Sequence, residues 1–271
     1  MPPAAEIFGR DKAVIGMVHL AALPGTPGST LGVEAIVERA TDEARLLAEA
    51  GFDAVIIENM HDVPYLQRRV GPEIVAAMTI VACAVRRAVD LPLGVQVLAA
   101  ANHDALAIAH AAHARFIRVE GFIFSSVADE GLLERADAGP LLRYRKQIGA
   151  ERVRILVDIK KKHSSHALTS DLDVSEMARA AEFFGADGVI ITGIATGQAI
   201  RIDDLGTARI ATQLPLLVGS GVTPDSVADL YAYADALIVG SWYKEDGHWA
   251  NPACAKRARE LVGAVREARG G

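Results

Sequence analysis

The chain has few cysteines, few aromatic residues and no long apolar run. Its 271 residues include two cysteines, Cys83 and Cys254, and 5% aromatic side chains. Two cysteines without metal-binding spacing give no sign of a disulfide framework, so an oxidising compartment is not indicated. No apolar run reaches the roughly 18 residues that a membrane span needs, and residues 1–10 lack the pattern of a signal peptide. We therefore expect a cytoplasmic protein without a transmembrane segment, whose contact with membranes, if any, is peripheral.

The chain also has no excess of basic residues. The chain has 28 Lys and Arg against 34 Asp and Glu, a formal net charge of −6, so a nucleic-acid partner is not expected. Hydrophobic residues make up 51% of the 271 positions, which is enough for one large core. No low-complexity linker interrupts the chain. We therefore predict a single domain over residues 1–271 and, since such domains often associate, a homo-oligomer.

Short apolar segments alternate with longer Ala-rich segments along the whole chain. The short segments predict buried parallel strands and the long ones predict helices. The predicted strands cover residues 13–19, 53–58, 93–98, 116–120, 153–159, 187–192, 216–219 and 236–240. The predicted helices cover residues 33–50, 73–89, 103–113, 138–149, 173–184, 203–213, 224–232 and 252–268. Eight such units predict a (β/α)8 TIM barrel, similar to the ribulose-phosphate-binding barrels.

Two of the last predicted strands end in Gly-Ser. Residues 216–224 read Leu-Leu-Val-Gly-Ser-Gly-Val-Thr-Pro, and residues 236–241 read Ala-Leu-Ile-Val-Gly-Ser. Glycine lets backbone N–H groups approach an anion, and the next helix turns its positive end toward the same place. Late in a TIM barrel this pattern is typical of a phosphate site. The predicted contacts to a small phosphorylated ligand from strands six to eight are Thr192, Gly193, Gly219, Ser220, Gly221, Gly240 and Ser241.

Polar side chains follow the carboxyl ends of the first five predicted strands. These ends meet at one mouth of a barrel, where the active sites of TIM-barrel enzymes lie. The candidates for proton transfer or charge stabilisation are His19, Glu58, Arg118, Glu120, Asp158 and Lys160. Asn59 and Gln96 are predicted to contact the substrate.

Spacing within the strands makes two pairs informative. Residues two apart in a strand point to the same side, so Arg118 with Glu120, and Asp158 with Lys160, are expected to face the interior together. Opposed charges in a low-dielectric cleft shift pKa values and permit acid–base chemistry. A simpler interpretation of Arg118 and Glu120 is an ion pair that fills the barrel, and His19 could serve only in packing.

Lys160 also has two interpretations. Burial near another cation would lower its pKa and suit a Schiff-base lysine. The adjacent Lys161 and Lys162 favour a solvated charged run instead.

A metal site has less support. A binuclear hydrolase barrel would show His-x-His in strand one, whereas this chain has the single His19 there. A mononuclear site formed by His19, Glu58 and Asp158 stays open, so a divalent metal is a weaker prediction and no organic cofactor is predicted. His163 and His166, three apart in a loop, are expected to be ordinary loop histidines.

Several motifs are shared with a known family. They occupy residues 15–20 (Ile-Gly-Met-Val-His-Leu), 23–27 (Leu-Pro-Gly-Thr-Pro), 57–65 (Ile-Glu-Asn-Met-His-Asp-Val-Pro-Tyr), 72–79, 116–119, 141–145, 158–163 and 219–223. In these segments the chain resembles the BtpA family, which includes the SgcQ-type proteins. The resemblance implies a phosphate-binding TIM barrel. It also implies a link to photosystem I biogenesis in cyanobacteria, as a membrane-peripheral factor, and to sugar metabolism elsewhere.

The chain departs from that family at two places. After strand three the family usually reads Asn-Val-Leu-Arg-Asn-Asp, whereas residues 96–102 read Gln-Val-Leu-Ala-Ala-Ala-Asn and lack the basic residue. After strand four the family usually has Asn where this chain has Glu120. Both departures are expected to face the site.

Two functions follow as hypotheses. The first is an enzyme that acts on a small sugar phosphate or nucleotide phosphate by acid–base catalysis, as an isomerase, lyase or hydrolase. A carboxylate that ends an apolar strand is costly unless it is paired or used. Under the enzyme hypothesis, Asp158→Asn is expected to abolish turnover with little loss of stability. The second is a non-catalytic assembly or stability factor for a membrane complex such as photosystem I.

Overall fold

Eight parallel strands close into a barrel in the computed structural model, which describes residues 3–161, 163–193 and 200–270. The strands of the described residues are β1 Ala13–His19, β2 Ala54–Glu58, β3 Leu93–Gln96, β4 Phe116–Val119, β5 Ser126–Ala128, β6 Gly131–Leu133, β7 Arg154–Ile159, β8 Ser164–Ser165, β9 Gly188–Ile191, β10 Leu216–Val218 and β11 Ala236–Val239. Around the barrel the order is β1-β2-β3-β4-β7-β9-β10-β11, and β11 pairs with β1. The predicted (β/α)8 barrel is confirmed. Lys162 and residues 194–199 lie outside the described residues.

Helices follow the barrel strands in the predicted order. In the described part of the chain they are α1 Ala4–Phe8, α2 Val33–Ala50, α3 Pro72–Ala88, α4 Asn102–Ala111, α5 Ala138–Gln147, α6 Val174–Phe183, α7 Ile202–Ala211, α8 Val227–Tyr231 and α9 Ala255–Ala268. The predicted helix 224–232 is in fact a 3-10 turn, Pro224–Ser226, followed by the short α8. No helix among the described residues is both long and apolar enough to span a bilayer.

Alternate residues of each barrel strand belong to two different layers. Ile15 and Met17 of β1 pack in the cluster that fills the barrel interior, while Val14 and Val18 pack in the outer cluster between strands and helices. This is the two-residue period of a strand whose two faces are both buried. Continuing the inward series places His19 on the interior face of β1.

The amino-terminal end of the barrel interior is filled by α1, which the sequence did not predict. Ile7 and Phe8 are buried, and the Phe8 ring meets the Phe116 ring edge to face with centroids 5.3 Å apart. Because apolar side chains occupy this end, the interior is open only toward the carboxyl ends of the strands.

A small antiparallel sheet lies in the loops after β4 and β7. Its strands are β6, β5 and β8, in that order. Asp129 and Glu130 form the turn between β5 and β6. Since these loops leave the carboxyl ends of barrel strands, the sheet adds to the open end of the barrel, and we refer to it below as the lid sheet.

Gly94 permits the tight packing of the barrel interior. A Cβ at this position would lie 2.3 Å from Cε2 of the Phe116 ring, a distance that real side chains do not reach. Gly94→Ala is therefore expected to lower the free energy of unfolding by about 1–3 kcal/mol through overpacking, measured by urea denaturation.

Gly263 of α9 is the matched control. A Cβ there would meet no atom within 4 Å, so Gly263→Ala should raise the stability by about 0.5–1 kcal/mol through helix propensity alone. Equal effects of the two substitutions would contradict the packing described for the barrel interior.

Candidate active site

A cavity of about 710 Å³ opens at the carboxyl ends of the barrel strands. The predicted site residues that line it are His19, Glu58, Gln96, Arg118, Glu120, Asp158, Gly219, Ser220, Gly221, Gly240 and Ser241. Four predicted residues do not appear in its described lining, namely Asn59, Lys160, Thr192 and Gly193. The cavity therefore brings together residues at the ends of β1, β2, β3, β4, β7, β10 and β11.

His19 and Glu58 face each other from neighbouring strands. The two residues are register partners in the β1–β2 pairing, and His19 Nε2 lies 3.5 Å from Glu58 Oε2, with the side chains 5% and 8% exposed. His19 Nδ1 lies 3.1 Å from the backbone oxygen of Trp249. A carbonyl oxygen can only accept, so Nδ1 carries the hydrogen and the contact between Nε2 and Glu58 needs one further proton. In this geometry one added proton would lie between Nε2 and the Glu58 carboxylate.

Arg118 and Asp158 form a buried bidentate ion pair. Arg118 Nε donates to Asp158 Oδ2 at 2.7 Å and the terminal nitrogen donates to Oδ1 at 2.8 Å. Burial alone would lower the pKa of Arg118, but the Asp158 carboxylate outweighs this effect and the pKa lies above its usual value. Both carboxylate oxygens of Asp158 are engaged, so its role in this geometry is to position the guanidinium. The sequence-based ion pair of Arg118 with Glu120 is thus replaced by one with Asp158.

Glu120 pairs instead with Lys161. The Lys161 Nζ lies 3.1 Å from Glu120 Oε2, and the same oxygen accepts from the Ala100 N–H at 3.1 Å. Burial would lower the pKa of Lys161, but Glu120 and then Glu130 raise it above its usual value, so the amine stays charged.

The prediction that Lys160 faces the cavity fails for a local reason. Strand β7 ends at Ile159, and Lys160 adopts φ of 46°, in the left-handed region. The two-residue alternation holds only for extended backbone, so the series that includes Asp158 stops there and Lys161 lines the cavity instead. A Schiff-base role for Lys160 has no support from this placement.

Asn59 also has a different place from the predicted one. Its amide nitrogen donates to Asp62 Oδ2 at 2.9 Å, and its amide oxygen accepts from the Leu98 N–H at 2.7 Å. These bonds tie the end of β2 to the loop after β3. Asn59 therefore positions a loop of the site instead of contacting the cavity.

Glycines line the side of the cavity formed by β10 and β11. A Cβ at Gly219 would lie 3.1 Å from a terminal nitrogen of Arg118, and one at Gly240 would lie 3.2 Å from the His19 ring. Only glycine leaves these groups in place. The Gly193 N–H donates to Ser220 Oγ at 2.6 Å, so Gly193 contributes to the cavity through Ser220.

Arg257 is a cavity residue that the sequence reasoning missed. It lies in the first turn of α9, donates through Nε to the backbone oxygen of Trp242 at 2.6 Å and stacks on the Trp242 ring with its guanidinium carbon 4.4 Å from the centroid. Helices of a TIM barrel begin at the end where the strands finish, so a basic residue in the first turn after the last strand was a signal available in the sequence.

Further missed residues belong to the loops that follow β11, β4 and β7. Trp249, in the loop between β11 and α9, packs against His19 and His61, with ring centroids 6.1 and 5.0 Å apart. Asp129, Glu130 and His163 reach the cavity from the lid sheet and the loop that precedes β8. Long loops between periodic elements carry no pattern that fixes their conformation, so these contacts had no sequence signal.

The weak metal candidates do not converge on a common point. Both Asp158 oxygens accept hydrogen bonds from Arg118, whereas His19 faces Glu58. Across residues 3–161, 163–193 and 200–270, no three His, Cys, Asp or Glu side chains have an arrangement that could hold a metal ion.

Comparison with known proteins identifies the family to which the chain belongs. The sequence model of the BtpA family matches residues 10–267. The chain belongs to the BtpA family. A mitochondrial protein of Caenorhabditis elegans is 44% identical over 92% of this chain and 91% of its own length. The photosystem I biogenesis protein BtpA of Synechocystis is 37% identical over 90% of this chain and 84% of its own length.

Solved structures show that this BtpA-family fold is shared with enzymes. Thiamine phosphate pyrophosphorylase from Pyrococcus furiosus superposes with a TM-score of 0.60 at 14% identity and covers 95% of this chain and 96% of its own. A 3-hexulose-6-phosphate synthase superposes with a TM-score of 0.57 at 20% identity and covers 93% of this chain and 99% of its own. At these identities the likeness shows the TIM-barrel fold alone.

The two places where a departure from the usual family pattern is expected lie close together in this BtpA-family member. Glu120 accepts a hydrogen bond from the N–H of Ala100, which belongs to the segment 96–102. Ala99, Ala100 and Ala101 are all buried.

The Arg118–Asp158 pair generates a stability prediction. Arg118→Met would leave a buried carboxylate without its partner and should cost about 3–5 kcal/mol of unfolding free energy, whereas Arg118→Met with Asp158→Leu should cost much less. Urea denaturation followed by circular dichroism measures both. Equal losses in the single and double variants would contradict the pairing. The same geometry means that Asp158→Asn should lower stability, contrary to the expectation from sequence.

Proposed function

We propose that this protein is an enzyme that acts on a small phosphorylated metabolite, a sugar phosphate or a nucleotide phosphate, by acid–base catalysis. The observation that carries the proposal is the His19–Glu58 pair in the same cavity as the glycine-lined ends of β10 and β11. An ion pair that shares a proton suits catalysis, and glycine-lined strand ends suit an anion. TIM-barrel sites lie at this end of the fold.

The phosphate would bind on the side of β10 and β11. Gly219, Ser220 and Gly221 line it from one strand end, and Gly240 and Ser241 from the next. Backbone N–H groups of glycine-rich turns form cradles for anions. Arg257 adds a cation at the same side through its contact with Trp242, and a guanidinium is well suited to phosphate oxygens.

Proton transfer would be carried by His19 and Glu58. One of them would accept a proton from a substrate carbon or hydroxyl, and the pair would return it at the next step. Arg118 and Lys161 stay positively charged and would stabilise negative charge on the substrate, such as an enediolate oxygen. This set of roles suits isomerisation, epimerisation and aldol-type cleavage, and it is compatible with hydrolysis.

The second hypothesis is an assembly factor, since the Synechocystis relative is named as a photosystem I biogenesis protein. The enzyme has more support because the site contains buried ion pairs. Removing charged groups from water costs several kcal/mol for each ion, and a scaffold gains nothing from such pairs inside a cavity. The Arg118–Asp158 pair is deeply buried, with side chains 5% and 1% exposed, so this argument applies to it most strongly.

Ligand binding tests the proposal directly. Thermal unfolding should be measured against phosphorylated sugars and nucleotides, with the unphosphorylated compounds as controls and with magnesium or a chelator in parallel. A ligand at 100 times its Kd stabilises the fold by about 2.7 kcal/mol, which shifts the midpoint visibly. We expect a shift that requires the phosphate group. No shift from any phosphorylated compound would favour the assembly factor.

Substitution of the proton-transfer pair tests the mechanism once a substrate is found. Glu58→Gln and His19→Gln should each lower kcat by about 10²–10⁴-fold while the variants still bind the phosphorylated ligand. Glu49→Gln, on the exposed surface of α2, is the matched control and should keep full activity. Wild-type kcat in Glu58→Gln would remove Glu58 from the mechanism.

A further inference from the structure

Three unpartnered polar atoms belong to residues that line the same cavity. Among the described residues, the buried side-chain atoms without a hydrogen-bond partner include Gln96 Oε1, Glu130 Oε2 and Trp242 Nε1, and all three residues line the 710 Å³ cavity. A buried polar atom without a partner is costly in free energy. A ligand that enters this cavity, together with a small rotation of these side chains, would supply the missing partners.

The three atoms divide by chemistry and by position. Trp242 Nε1 can only donate, and Trp242 stacks with Arg257 beside Gly240, on the proposed phosphate side. Gln96 Oε1 and Glu130 Oε2 only accept, and they belong to the end of β3 and to the turn of the lid sheet. A ligand that reached all three atoms would present acceptors toward Trp242 and donors toward Gln96 and Glu130.

The charges that line the cavity indicate what kind of donor this is. The lining contains twice as many carboxylates as fixed cations: Glu58, Glu120, Asp129, Glu130, Asp158 and Asp246 against Arg118, Lys161 and Arg257. Two of the cations are each paired with a carboxylate of the same set, and Arg257 lies on the phosphate side. Lys161 interacts with both Glu120 and Glu130. Burial and then Glu58, Glu130 and Glu120 raise the pKa of Tyr65. In the described lining, this side of the cavity therefore has more carboxylates than fixed cations.

We propose that the substrate is a phosphorylated amine, whose protonated amino group binds between Glu130 and Gln96 while its phosphate binds beside Trp242 and Arg257. An ammonium group supplies three donors and one positive charge, and its hydrogen bonds to a carboxylate are stronger than those between neutral groups. A hydroxyl would satisfy Gln96 but would leave the negative charge without compensation. This inference rests on the proposed function for the phosphate end and adds the chemistry of the other end.

Matched pairs of compounds test the amino group separately from the phosphate. We would measure binding to the wild-type protein for glucosamine 6-phosphate against glucose 6-phosphate, pyridoxamine 5′-phosphate against pyridoxine 5′-phosphate, and phosphoethanolamine against 2-hydroxyethyl phosphate. In each pair an amine replaces a hydroxyl. For at least one pair we expect the amine to bind about tenfold tighter or better, the effect of one added charged hydrogen bond.

Two variants of the lid region test whether Glu130 causes the preference for the amine. Glu130→Gln removes the charge at nearly constant shape and should abolish the preference for the amine without weakening binding of the hydroxyl compound. Glu134→Gln is the matched control, because Glu134 is exposed in the same region, and it should keep the preference. A preference unchanged in Glu130→Gln would overturn the assignment.

The outcomes also separate this inference from the proposed function. If the hydroxyl compounds bind as well as the amines in every pair, the amine is wrong while phosphate binding stands. If no member of any pair shifts the unfolding midpoint, with or without magnesium, both proposals fail together.

Discussion

Closure of the eight strands into a barrel determines which side chains meet in the interior. Along each strand every second residue faces inward, and the inward series of β1 and β2 run through apolar residues to His19 and Glu58. Lower in the barrel these positions are filled by apolar side chains and by α1, whose Phe8 packs on Phe116. At the carboxyl ends no further apolar layer follows. The last inward position of a strand therefore forms the floor of the cavity, and a polar residue there becomes a site residue.

Pairing of opposite charges is what allows so many ionisable groups in this floor. A lone buried charge would lose several kcal/mol of hydration, and the site avoids this by matching Arg118 with Asp158 and Lys161 with Glu120. The pKa values of Arg118 and Lys161 rise as a result, although burial alone would lower them. These two cations are thus fixed in the charged state. His19 with Glu58 is different, because a histidine carries a charge only when it is protonated.

Most of the barrel and the floor of its cavity could be predicted from the sequence, because both follow from a two-residue period. The predicted β1 agrees with Ala13–His19. The prediction failed where the backbone is no longer extended. Lys160 adopts φ of 46°, and Lys161 lines the cavity instead. It failed again where a polar side chain forms a hydrogen bond with the backbone of a loop, as Asn59 does with the N–H of Leu98. In the lid sheet, β5 pairs with β8, which lies more than 30 residues later in the chain, and such pairing leaves no local pattern.

In the proposed enzyme, the loop between β11 and α9 would connect phosphate binding to proton transfer. Its first residues, Gly240 and Ser241, line the proposed phosphate side of the cavity, and the backbone oxygen of Trp249 in the same loop lies 3.1 Å from His19 Nδ1. That carbonyl favours a hydrogen on Nδ1, which would leave Nε2 to exchange a proton with Glu58. In the proposed enzyme, a phosphate that orders this loop would at the same time fix the tautomer of His19. The anion would then act on the chemistry through the loop as well as through its own charge, which is a physical reason for a glycine-lined strand end to lie directly beside the histidine.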